Sequence, residues 1–195
     1  MRRDGTSATL AGLLRPVTHR DPGESPTTGQ HPVEPCPAVV VVGVVGGAGT
    51  TTLVRSLGPP ALDAGRVLPA PDGRPLLLVT RGTAAGTAAA LQMLTAAHRL
   101  GHYLPSLAVV ADGPWPPPPQ ARARLRLLRD PTRLRTVVPV PYVVGWRDVD
   151  DPLTGAPLPR AFHTALGQLS SALHAASPTP APTTAPTGAA VRMTA

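Results

Sequence analysis

Residues 39–53 read Val-Val-Val-Val-Gly-Val-Val, then Gly-Gly-Ala-Gly, then Thr-Thr-Thr-Leu. No other stretch narrows the fold as much. The valine run is apolar without alternation, so a strand formed from it must be buried on both faces, as in a parallel sheet covered on two sides. The glycines permit a tight turn, and the hydroxyl residues after them suit the start of a helix. A strand, a glycine turn and a helix in direct succession open an alternating α/β chain.

The alternation continues downstream. The buried strand is predicted over Ala38–Val45, and Thr50–Leu57 is predicted as a short helix ended by Gly58-Pro59-Pro60. Residues 58–75 are rich in Pro, Gly and Asp and read as loop. Leu76–Thr80 is a second buried strand. Thr83–Leu100 is an Ala-rich helix with Leu91, Leu94 and His98 on one side and Gly101 as its stop signal. Leu107–Ala111 is a third strand, and Pro114–Pro119 forms a polyproline-like turn. Ala121–Arg129 is a basic helix stopped by Pro131. Thr136–Val144 is a fourth strand, placed at a sheet end or edge by Pro139 and Pro141. Arg160–Ala175 is the last helix. The pattern predicts a three-layer α/β fold, with a small, mainly parallel sheet flanked by helices.

This domain spans residues 38–176. Residues 1–37 carry six prolines without sustained periodicity and read as a disordered tail; residues 177–195 read as a second, Pro/Thr/Ala-rich one. Aromatic residues make up only 3% of the chain, so the core must be built from Val, Leu and Ala. The single cysteine, Cys36, excludes an intrachain disulfide and a cysteine zinc cluster. No apolar run approaches the roughly 18 residues that span a bilayer. Cytoplasmic location, with no membrane span, is the expectation.

All eighteen Lys+Arg positions are arginine, and Asn and Ile are missing too, a bias that points to a GC-rich genome. The absence of lysine has a chemical consequence: no Schiff-base lysine, lysine general base or phosphate-binding lysine exists in the chain. Both glutamates, Glu24 and Glu34, lie in the N-terminal tail, which removes paired-glutamate chemistry from the domain. From residue 38 to residue 176 thirteen arginines face seven aspartates, a net 13 − 7 = +6.

In the glycine loop, consecutive backbone N–H groups converge on one point, and the helix start adds partial positive charge. That combination suits an anion. Gly46, Gly47, Ala48, Gly49, Thr50, Thr51 and Thr52 are therefore the candidate phosphate or nucleotide ligands, with Thr51 a candidate Mg²⁺ ligand. The segment resembles the deviant Walker A loop of ParA/MinD-type P-loop NTPases. Gly46, Gly47, Gly49, Thr51 and Thr52 match it; Val45 stands at the signature lysine, Thr50 at the Walker lysine, and Val44 at the first general glycine. The Leu76–Thr80, Leu107–Asp112 and Val137–Tyr142 segments resemble later strands of those proteins more weakly. The whole pattern is most similar to a small P-loop-like family of high-GC Gram-positive bacteria, often associated with mobile elements. Gly46–Leu53, Leu78–Arg81 and Pro139–Arg147 carry that likeness. The resemblance implies a P-loop-like fold, ATP or another nucleotide with Mg²⁺ as ligand, and no established activity. Thr50 cannot supply the charge that the Walker lysine brings to the β/γ-phosphates, which argues against ATP hydrolysis. The bland alternative is a tight strand-to-helix turn with no ligand. A dinucleotide fold is a rival: Thr52 replaces its third glycine, and no strand-ending acid lies about 20 residues on.

Other residues carry two readings each. Asp112 ends an apolar strand in Walker-B fashion, belongs by resemblance to base recognition, and also fits a plain Asp-Gly turn. Arg81 is either a substitute for the missing lysine charge or a surface arginine. Arg122, Arg126 and Arg129 share one helical stripe, with Arg133 beyond, and could contact DNA phosphates or an acidic protein; a solvated face is the plainer reading. His98 and His102 have helical spacing, but Gly101 separates them and no acidic ligand is near. Trp146 is a packing anchor or an interface residue. Together these features predict a degenerate P-loop accessory protein, binding nucleotide or free of it, with little or no ATPase activity. The alternative is a DNA- or acidic-partner-binding module of a conjugation or partition system.

Overall fold

The computed structural model describes residues 38–154 and 157–176; both predicted tails lie outside the described residues. Five strands form one sheet: β1 (Val39–Gly43), β2 (Ala61–Asp63), β3 (Leu76–Arg81), β4 (Ser106–Val110) and β5 (Thr136–Val140). Four helices accompany them: α1 (Thr50–Leu57), α2 (Ala84–Leu100), α3 (Pro119–Leu128) and α4 (Arg160–His174). Every strand pair is parallel, in the order β2-β1-β3-β4-β5.

The valine run explains the layering. Val39 and Val41 face a core shared with Leu53 of α1 and Phe162, Ala165, Leu169 and Leu173 of α4. Val40 and Val42 face the opposite core, with Ala90, Leu94 and Ala97 of α2 and Leu128 of α3. Adjacent strand residues point to opposite faces, so only an unbroken apolar run supplies both cores. Phe162 is the one fully buried aromatic side chain among the described residues, and it fills the first of these cores. It meets Trp146 edge to face, with ring centroids 4.8 Å apart.

Three expectations need correction. Residues 58–75 are not all loop: β2 pairs in register with β1, Val39 beside Ala61 and Val41 beside Asp63. Only three residues long and half-exposed, this strand has no apolar run to announce it. The inward face of α2 consists of Gly86, Thr87, Ala90, Leu94 and Ala97; Leu91 is only partly buried and His98 is exposed. Small residues win that face because they let the helix lie close on the sheet. Finally, β5 stops at Val140, and the chain continues through Pro141 into a short 3₁₀ turn at Val144–Arg147. Proline supplies no donor to extend the ladder.

Chain direction places the glycine loop at the carboxyl end of β1, where the path turns first to β2 on one side and then to β3 on the other. Open parallel sheets bind ligands in the crevice outside such a reversal.

Candidate functional site

The loop between β1 and α1 is built by backbone geometry. Gly47 and Gly49 have φ of +66° and +81°, the left-handed region that disfavours a Cβ. Gly49 is the residue before α1 and, lacking a side chain, cannot cap it. Leu53 is the first α1 residue to donate, to the Gly49 carbonyl at 3.0 Å. The N–H groups of Thr50, Thr51 and Thr52 precede it, so they have no partner within the helix. α1 carries no acid in its first turn to offset the positive end of its dipole.

Each threonine is placed differently. A Cβ on Gly43 would lie 2.6 Å from Thr50 Oγ1. The Thr50 side chain is therefore packed over the end of β1, and glycine at position 43 makes room for it. The position that resembles the Walker lysine is spent on this contact. Thr51 is exposed and donates its hydroxyl to Asp63 Oδ2 at 3.2 Å. Thr52 borders two cavities, that on the Thr51 side and another of about 230 Å³ lined by Gly47, Gly49, Arg81, Asp112, Tyr142 and Trp146 among others.

Asp63 was invisible as a site residue in the sequence. It ends β2 beside the loop strand, and its other oxygen accepts from the Gly65 N–H at 2.8 Å. The turn that follows is fastened to β1: Gly43 N–H donates to the Gly65 carbonyl at 2.7 Å, and Ala64 N–H to the Val41 carbonyl at 2.9 Å. This seals one wall of a second cavity, about 360 Å³, lined by residues 45–52 together with Asp63, Gly65 and Arg66. Arg66 brings a guanidinium to a loop that has no charge of its own. The only sequence signal for it was an arginine after an Asp-Ala-Gly turn.

The fit to a magnesium–phosphate ligand can be judged on these groups. Thr51 Oγ1 and Asp63 Oδ2 are adjacent hard oxygen donors of the kind Mg²⁺ takes, and a loop threonine with a strand-end aspartate is the pair that holds it in P-loop NTPases. The free N–H groups and Arg66 suit phosphate. The residues present fit such a group for binding, but no lysine is present to stabilise transfer.

The two accessory candidates find each other. Arg81 and Asp112 form an ion pair at the adjacent carboxyl ends of β3 and β4, and both line the smaller cavity. Arg81 is thus not a free cation aimed at the loop. The other end of α1 is tied by Arg55, bidentate to Asp151 at 3.0 and 2.7 Å. These hydrogen bonds hold the Asp151 carboxyl below its ordinary range.

The basic stripe is divided by the fold. Arg122, Arg126 and Arg129 are exposed and line one groove, whereas Arg124 turns inward to the Ala84 carbonyl at 2.8 Å. Arg133 stands apart, 3.9 Å from Asp130. His98 and His102 are used structurally, each within hydrogen-bond distance of a loop carbonyl, those of Arg133 and Pro69. Among the described residues no helix is long and apolar enough to cross a membrane.

Neither curated proteins nor solved structures give a match to this chain. One family profile does match, across residues 37–160, which is well over half of the sequence and includes the whole sheet. The chain belongs to that family, a family of unknown function designated DUF6668.

Proposed function

We propose that this domain is a nucleotide-binding accessory protein of reduced P-loop type, acting in the cytosol with little or no ATP hydrolysis. Phosphates lie on the N–H groups of the Gly46–Thr52 loop. Thr51 and Asp63 hold Mg²⁺, and Arg66 contributes positive charge from the cavity wall. The observation that carries the reading is the hydrogen bond between Thr51 and Asp63 at the mouth of an uncapped helix. A turn serving only to reverse the chain needs neither an exposed hydroxyl–carboxylate pair nor an open cavity beside it.

The dinucleotide alternative gains the strand-ending acid that it lacked in the sequence. However, both Asp63 oxygens already accept from protein donors, Thr51 Oγ1 and Gly65 N–H. Thr52 still occupies the third glycine position.

Thermal unfolding with ATP, ADP, GTP and NAD, each with and without Mg²⁺, tests the reading. A ligand at a hundredfold excess over its Kd adds about 2.7 kcal/mol, which raises the Tm by several degrees. The expected result is a rise with a Mg²⁺–nucleoside phosphate and almost no phosphate release over hours. A rise with NAD alone would move the site to the dinucleotide class, and no rise with any ligand would leave the loop a structural turn.

A further inference from the structure

α3 packs mainly on α2 and leaves the edge strand β5 partly uncovered. Between them lies a groove of about 540 Å³, opposite in character to the glycine loop. Its floor and far wall are apolar: Val109, Leu125, Val137, Pro139 and Val140. Its rim is Arg122, Arg126 and Arg129, one helical stripe at i, i+4 and i+7. None of the groove residues is acidic. None of the three arginines has a carboxylate partner among the described ion pairs, and the nearest acid in sequence, Asp130, is held by Thr132 and Arg133.

We infer that this groove docks an acidic polypeptide segment of a partner protein, one that places apolar side chains on the floor and carboxylates against the arginine rim. Charge complementarity sets the sign of the occupant. The apolar floor sets its class. Nucleic acid meets proteins through phosphate contacts to exposed cations and gains little from burying valine and leucine. A peptide gains from both, because guanidinium groups pair carboxylates bidentately while apolar anchors fill pockets between them. One extended strand or one face of a helix is the usual way a peptide occupies such a groove. This inference does not depend on nucleotide binding at the glycine loop.

The test is selection of a random dodecapeptide display library against the immobilised full chain, followed by fluorescence-anisotropy titration of the enriched peptides. The expected peptides combine two or more carboxylates with apolar residues. They lose at least tenfold in affinity on the Arg122→Gln/Arg126→Gln/Arg129→Gln chain, and by a similar factor when their own carboxylates are changed to amides on the unaltered protein. The second comparison keeps the test decisive should the triple variant fold poorly. Enrichment of neutral or basic peptides, or affinity indifferent to the peptide carboxylates, overturns the inference. So does a duplex DNA that binds more tightly than the peptides and displaces them.

Discussion

Two strand-to-helix turns in this domain are built from similar residues and finished in opposite ways. After β3, Thr83 caps α2: its side chain accepts from the Gly86 N–H at 3.0 Å, and Thr87 returns its hydroxyl to the Thr83 carbonyl at 2.9 Å. Buried Thr80 ties the strand to the helix through the Gly86 carbonyl at 2.8 Å. After β1, the corresponding residue is Gly49, with no side chain to offer. The first turn of α1 opens instead onto a cavity edged by Thr51, Asp63 and Arg66. One turn caps its helix with its own side chain, and the other leaves its first N–H groups uncapped. A protein that needs only to reverse its chain has the side-chain cap used at Thr83, and it did not use that solution at Gly49.

The largest expected contrast lies in the glycines. A Cβ on Gly86 would collide with the Arg81 carbonyl oxygen, which belongs to backbone and cannot swing aside, whereas a Cβ on Gly46 would meet nothing within 4 Å. Gly86→Ala should therefore destabilise the domain by about 1–3 kcal/mol or more, the usual range for overpacking. Gly46→Ala should change stability by less than about 0.5 kcal/mol. Urea unfolding of the two variants measures both. Equal losses would mean that the loop is as tightly packed as the α2 turn, and the contrast would fail.

A smaller effect separates the threonines. Thr83→Ala removes a cap and should cost about 1 kcal/mol of stability. Thr51→Ala removes an exposed hydroxyl whose partner keeps the Gly65 N–H, so stability should stay within about 0.5 kcal/mol. If Thr51→Ala instead costs as much as Thr83→Ala, the Thr51–Asp63 bond is a structural tie and the two turns are more alike than described.

The same contrast explains what the sequence disclosed. β1, its glycine loop and α1 were legible because local residue types determine them: valines with no alternation, glycines at positive φ, hydroxyls at a helix start. The bounds of α1 agree with the prediction. β2 was not legible, because Ala-Leu-Asp becomes a strand only by pairing with β1, a contact absent from local pattern. With β2 hidden, Asp63 and Arg66 stayed hidden as well. Arg81 and Asp112 could each be placed at a strand end, but their pairing depends on β3 and β4 being neighbours in register. The arginine stripe of α3 was readable from helical spacing, while the apolar residues beside it come mostly from β4 and β5 and needed the fold.

The central claim is that Thr51 and Asp63 hold a metal at an open helix end. Isothermal titration of ATP with Mg²⁺, and of ATP with EDTA, into the full chain and its Asp63→Ala and Thr83→Ala variants tests this most directly. The account predicts at least tenfold tighter binding with Mg²⁺ for the unaltered chain, the same advantage in Thr83→Ala, and loss of that advantage in Asp63→Ala. Binding that ignores Mg²⁺, an Mg²⁺ advantage that survives in Asp63→Ala, or no binding at all would contradict it.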